Sequence, residues 1–118
     1  TRFRPRERLK RPSDFKQVYD RRCSASDPVL LVYGCDNELP YSRVGLSVSR
    51  KLGGAVVRAR LKRLLRETFR LCRTELPVGL DYVLIPRNPE TVSLDRLKQS
   101  LPRLARDVVR KLSRNRKP

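Results

Sequence analysis

Gly45-Leu46-Ser47-Val48-Ser49-Arg50-Lys51-Leu52-Gly53-Gly54-Ala55-Val56-Val57-Arg58-Ala59-Arg60-Leu61-Lys62-Arg63-Leu64-Leu65-Arg66-Glu67 holds a strand, a glycine turn and a basic helix in direct succession. From Arg43 to Ser49 the residues alternate. Val44, Leu46 and Val48 point one way, and Gly45, Ser47 and Ser49 point the other, the period of a β-strand. The second face carries only small side chains, which leaves room for something to lie on it. Gly53 and Gly54 permit a tight turn. The helix predicted next, Val56 to Arg73, separates cleanly at 100° per residue. Val57, Leu61, Leu64, Leu65, Thr68, Phe69 and Cys72 form an apolar arc with Leu71 at its edge. Lys62, Arg63, Arg66, Arg70 and Arg73 cluster opposite, Arg58 and Arg60 flank them, and Glu67 is the lone acid. A solvated face normally mixes signs so that i,i+4 pairs form. This one is cationic and rich in arginine, the residue suited to bidentate phosphate contacts.

Outward from that block, Pro12-Ser13 offers a cap for a short helix over Ser13 to Asp20, with Phe15, Val18 and Tyr19 on one face. Val29 to Tyr33 reads as a strand in which Leu31 and Tyr33 share a face, and Cys23 to Ser26 is a candidate for another. Asp36-Asn37-Glu38 reads as a polar turn. Tyr82 to Ile85 is the clearest buried strand. Ser93 caps a last helix carrying Leu94, Leu97, Leu101, Leu104, Val108 and Leu112 at helical spacing, with Pro102 expected to bend it. The pattern predicts one α+β domain over residues 1–118, with a basic arm over 1–12 and a frayed basic tail over 113–118.

Charge narrows the partners. Twenty-nine Lys plus Arg stand against 12 Asp plus Glu in 118 residues, a formal charge of +17 and a pI near 11.2. Counterion release from a phosphate backbone gives such a surface affinity for nucleic acid, whereas a membrane-surface helix would also expose bulky apolar residues. No apolar run reaches the ~18 residues of a membrane span, and no secretory signal is visible, so the cytoplasm is the expected compartment. Histidine is absent, which removes His-based acid–base catalysis and the common zinc sets. Cys23, Cys35 and Cys72 form no Cys-x-x-Cys pair, and the acids are scattered, with Asp14 and Asp95 in first helical turns. The chain reads as a binder before it reads as a catalyst: no residue is assigned as catalytic or metal-ligating, and a rival protein-only nuclease would have to build a two-metal site from these scattered carboxylates.

The strand–turn–helix block closely resembles the bacterial ribonuclease P protein subunit. The likeness extends to Arg8-Leu9-Lys10 leading into Asp14-Phe15-Lys16-Gln17-Val18-Tyr19, and to Gly79 through Arg87 followed by Ser93 to Leu101. One departure stands out: Ala59 occupies the place of the family's usual Asn between Arg58 and Arg60. The resemblance implies an αβββαβα fold with a small mixed sheet and a left-handed crossover through the basic helix, where general rules predict a right-handed one. It implies two RNA partners, a catalytic RNA and precursor tRNA, and no membrane or small-molecule substrate. The implied reaction is Mg²⁺-dependent removal of the 5′ leader, with Mg²⁺ held mainly by RNA and the active site supplied by the RNA. Arg50, Lys51, Arg58, Arg60, Lys62, Arg63, Arg66 and Arg70 would then contact the catalytic RNA. Phe15, Tyr19, Leu31, Tyr33, Ser47 and Ser49 would line the leader groove, although Phe15 and Tyr19 taken alone read as core residues. Composition by itself equally fits a ribosomal-type RNA-binding protein with no role in cleavage.

Overall fold

The computed structural model describes residues 4–116. After a 3-10 turn at Pro5–Glu7, the elements are α1 (Pro12–Asp20), β1 (Ser24–Ser26), β2 (Leu30–Asp36), β3 (Arg43–Leu46), α2 (Ala55–Cys72), β4 (Leu80–Pro86) and α3 (Leu94–Arg116). Further 3-10 turns sit at Arg50–Leu52 and Arg73–Glu75. The expected αβββαβα order is present. In the sheet the strands run β1-β2-β4-β3, so β4, last in sequence, is central. It pairs antiparallel with β2 and parallel with β3.

Alternation along the strands sorts the molecule into layers. Leu30, Val32, Val44, Tyr82 and Leu84 face one side and pack with Leu61, Leu65, Phe69 and Cys72 of α2 and Leu97, Leu101, Leu104 and Val108 of α3. The opposite side packs Val83 and Cys35 under Leu9 and Val18, with Phe15, Tyr19, Tyr33 and Ile85 at the margin. Helix α1 thus lies alone on one face, and α2 and α3 share the other.

Two parallel neighbours require a crossover, and here it is α2. Its hand follows from the hydrogen bonds. Seen from α2 with β3 running upward, Val44 turns its side chain toward the viewer, and its carbonyl accepts from the Leu9 N–H (2.9 Å). For an L-residue in that attitude the carbonyl points right. The Leu9 segment therefore lies right of β3 and β4 lies left, so the crossover is left-handed, contrary to roughly 98% of such units.

The Arg43 guanidinium pins this pairing. Directly opposite it in register is Asp81, and Nε and Nη2 of Arg43 donate to Oδ1 (2.8 Å) and Oδ2 (2.6 Å) of that carboxylate. Asp81 is buried, and Asn37 Nδ2 also donates to it (2.9 Å). Asn37 Oδ1 accepts from the Leu39 N–H, so the polar turn expected at residues 36–38 also serves the sheet.

Several boundaries differ from the sequence reading. Strand β3 stops at Leu46, because Ser49 leaves the ladder to cap the turn at Arg50–Leu52, its Oγ accepting from the Lys51 N–H (3.1 Å). The arm is not a loose appendage: Glu7 is buried against Arg73 (2.9 Å) and Arg8 bridges Val44, while Thr1–Phe3 lie outside the described residues. Residues 113–116 of the expected tail continue α3, and Lys117–Pro118 lie outside the described residues. Pro12 is itself helical, in the first turn where its missing N–H breaks no bond, and Arg11 is the cap residue.

Pro102 sits within α3 and cannot donate to the carbonyl four residues earlier, that of Lys98. Cys72 Sγ–H of α2 donates to that same carbonyl (3.9 Å). A helix break is thereby met from a neighbouring helix. Cys72→Ala should cost about 1–3 kcal/mol in urea unfolding, from the missing donor and the void. The penalty should shrink in a Pro102→Ala background, where a backbone donor is restored; additive losses would contradict the link.

Arg43→Ala should be costlier, about 3 kcal/mol, since it leaves a buried carboxylate without its cation. Thermal or urea unfolding measures this directly.

Candidate nucleic-acid interface

The lone helix α1 crosses the sheet obliquely. Phe15 stands over β3, where a Cβ built at Gly45 would meet its ring at 2.5 Å. One turn later Tyr19 meets Tyr33 of β2 edge-on, with ring centroids 5.0 Å apart and planes at 89°. The small side chain expected to leave space on the strand does so, but at Gly45 the occupant is the protein's own aromatic ring. Phe15, Tyr19 and Tyr33 are each half-buried. They pack at the margin of the core and keep part of their surface accessible.

Register defines the floor. Gly45, Val83, Tyr33 and Ser24 form one row under α1; Ile85, Leu31 and Ser26 continue the next, and Ser47 lies beyond Leu46 at its β3 end. The Ser47 N–H still donates to Leu84 O (3.0 Å), so Ser47 extends the floor although it is outside the strand. Ser47, Ile85 and Leu31 are half-buried and Ser26 is exposed. Leu31 and Tyr33 share the face of Gly45 as expected, but β4 separates their strand from β3. Ile85 and Ser26 went unnoticed in the sequence, since only the strand order brings them to this face. Ser49 is drawn away into its cap.

Helix α2 borders the same region from the β3 edge. A cleft of about 140 Å³ is lined by Phe15, Gly45 and Leu9 on one side and Lys62 and Arg66 on the other. Arg60 and Arg63 are exposed further along the helix, and Arg50 and Lys51 are exposed on the turn that precedes it. Arg58 Nε donates to Gly53 O (3.2 Å), which ties the helix start to the glycine turn. Gly53 itself has φ +151°, and a Cβ there would meet Val57. Of the eight cations expected to meet RNA, Arg70 is the one in an ion pair among the described residues, with Glu67. That pairing favours the charged form of each partner. Exposed Ala59 offers no polar group between Arg58 and Arg60.

Chemistry beyond binding has few groups to use here. Cys23, Cys35 and Cys72 are buried, and none is in a disulfide. Burial first, and then the charges of Asp81 and Asp36, push the Cys35 thiol up to about 11. Among the described residues no three of His, Cys, Asp and Glu stand close enough to hold a metal ion. No helix among them is long and apolar enough to cross a membrane.

Residues 3–109 match the family model described as Ribonuclease P. The chain belongs to the ribonuclease P protein family. It is 45% identical over 83 residues to the ribonuclease P protein component of Geobacillus kaustophilus, covering 70% of this chain and 69% of that one. To the Bacillus cereus component it is 37% identical over 101 residues, covering 84% and 88%. Solved structures agree on the fold. The RNase P protein of Staphylococcus aureus superposes with a TM-score of 0.74 at 31% identity, covering 90% of this chain and 96% of that one. For the Thermotoga maritima protein the values are 0.76, 35%, 85% and 96%. The ribonuclease P protein is thus a component of an endoribonuclease.

The close seat of Phe15 over Gly45 is testable. Gly45→Ala should destabilise the protein by about 1–3 kcal/mol, as overpacking does. Phe15→Ala in the same chain should relieve part of that loss in urea unfolding; strictly additive losses would deny the contact.

Proposed function

We propose that the protein holds the catalytic RNA of ribonuclease P with the cationic arc of α2 and guides the 5′ leader of precursor tRNA along the groove beside α1. The observation that carries this reading is the shared cleft, in which Lys62 and Arg66 of α2 face Phe15 and Gly45. A single strand of RNA needs phosphate contacts on one side and aromatic faces for its bases on the other, and this edge offers both. Stacking on Phe15, Tyr19 and Tyr33 discriminates little between bases, which suits leaders of variable sequence. Arg50, Lys51, Arg58, Arg60 and Arg63 then reach phosphates of the catalytic RNA, with Arg70 contributing from its pair with Glu67.

Bond cleavage is assigned to the RNA. Beside the groove, Asp14 lines a depression together with Pro5, Arg6, Arg8, Lys10, Arg11 and Arg43. One carboxylate among five cations is a poor donor set for Mg²⁺, which favours clustered oxygens and waters. The magnesium of the hydrolysis is accordingly held by RNA, and the protein's residues bind and orient.

Reconstitution tests the assignment. Adding the protein to the catalytic RNA at low Mg²⁺ should raise precursor-tRNA cleavage well above that of the RNA alone; no stimulation would sink it. Phe15→Ala with Tyr33→Ala should weaken precursor binding more than mature tRNA binding, and equal losses would contradict the groove. Arg60→Ala or Arg66→Ala should reduce the salt slope of catalytic-RNA binding by about 0.7–0.9 for each phosphate left without its cation.

A further inference from the structure

Helix α2 is not the most cationic element of the chain. Residues 55–72 carry five arginines and one lysine against Glu67, whereas residues 94–116 carry six arginines and two lysines against Asp95 and Asp107. In α3 the apolar residues Leu97, Leu101, Leu104, Val108 and Leu112 are buried on the sheet. At 100° per residue, Arg96, Arg103, Arg106, Arg110 and Arg114 fall within one arc of the opposite side, and all five are exposed. From Arg96 to Arg114 the stripe runs about 27 Å at 1.5 Å per residue.

Its surroundings are cationic too. Arg22, Cys23, Lys111 and Arg114 line a depression of about 220 Å³ at the C-terminal end of the stripe. Of the acids near it, Asp27 is paired with Arg103 (2.6 Å) and Asp107 with Arg110, and Asp95 stands in the first turn just before Arg96. Arg96, Arg106 and Arg114 form no ion pair among the described residues. Lys111 donates to the Ser24 carbonyl, and Arg103 reaches Asp27 in the β1–β2 connection, so the stripe borders the β1 edge of the sheet. The α2 cleft borders the β3 edge. With the order β1-β2-β4-β3, the two cationic surfaces lie at opposite edges.

We propose that the outer face of α3 is a second RNA-binding surface, which takes the phosphate backbone of an RNA duplex and lets one chain bridge two RNA segments. The chemistry selects this partner. No Phe, Tyr or Trp occurs in residues 94–116, so the face has no platform on which to stack unpaired bases. A duplex presents mainly sugar and phosphate along its grooves and is recognised by shape and charge. An anionic membrane would require bulky apolar residues beside the arginines. Among the described residues the exposed large apolar side chains are Val56, Leu71 and Val78, all outside α3. The α3 face is argued without the leader groove, and the bridging of two segments rests on the α2 contacts proposed above.

The probe is a blunt RNA duplex of roughly 16 base pairs, about the length one shape-reading domain spans. Binding is followed by analytical ultracentrifugation at low salt. The full chain should bind two duplexes, and Arg96→Ala with Arg106→Ala and Arg114→Ala should bind one. Arg60→Ala with Arg63→Ala and Arg66→Ala should also bind one, at the other edge. Replacing the same three α3 arginines with lysine keeps the charge and should restore the second duplex, which separates removal of charge from any disturbance of the helix. A duplex stoichiometry that the α3 alanines leave unchanged would overturn the proposal, whereas a single duplex on the unaltered chain that the α3 alanines abolish would count against the α2 contact instead. Loss of adhesion to phosphatidylglycerol vesicles with the duplex stoichiometry unchanged would likewise overturn the proposal.

Discussion

The pairing of β3 with β4, four residue pairs long and locked by the bidentate contact of Arg43 with Asp81, is the constraint on which the other features depend. Because the strands are parallel, the chain between them must cross one face of the sheet, and it does so as α2. The apolar arc of that helix is then buried, and its cations are left at the β3 edge. Had β3 paired antiparallel, a short hairpin would have sufficed and the basic helix would have no reason to lie beside the groove. The burial of Asp81 makes the contact unforgiving, since a carboxylate at 2% exposure depends on its cation and on Asn37.

The two faces of the sheet divide the work by the size of what covers them. Two long helices seal one face and supply most of the core. On the other face α1 is nine residues long, too short to cover the floor, and the row Ile85–Leu31–Ser26 beside Ser47 stays accessible. The groove therefore arises from a shortage of cover, and the aromatic residues at its rim must hold α1 down while remaining available. Their half-buried state reflects that double duty. The smallness of Gly45 serves this arrangement by letting Phe15 sit directly on the strand.

Polar devices tie the periphery to this frame. Glu7 of the arm pairs with Arg73 just past α2, and the Cys72 thiol donates to the Lys98 carbonyl that Pro102 leaves without its helical donor. Both links join segments distant in sequence. They turn an apparent arm, an apparent helix breaker and an isolated cysteine into parts of one packed unit.

Residue type and spacing alone settled the basic helix, its apolar arc, the alternating strand before it and the family likeness, because each depends on local periodicity or on a contiguous run. The aromatic pair on α1 and the Leu31/Tyr33 face were legible for the same reason. Strand order was not, since register and neighbours are set by hydrogen bonds between segments as distant in the chain as Leu30 and Pro86. That order put Ile85 and Ser26 on the floor of the groove, placed Asp81 opposite Arg43, and set the α3 arginines at the edge opposite α2. Handedness was likewise decided in three dimensions: composition and periodicity are blind to which side of β3 receives β4, and only the backbone hydrogen bonds of Val44 and Ser47 determine it.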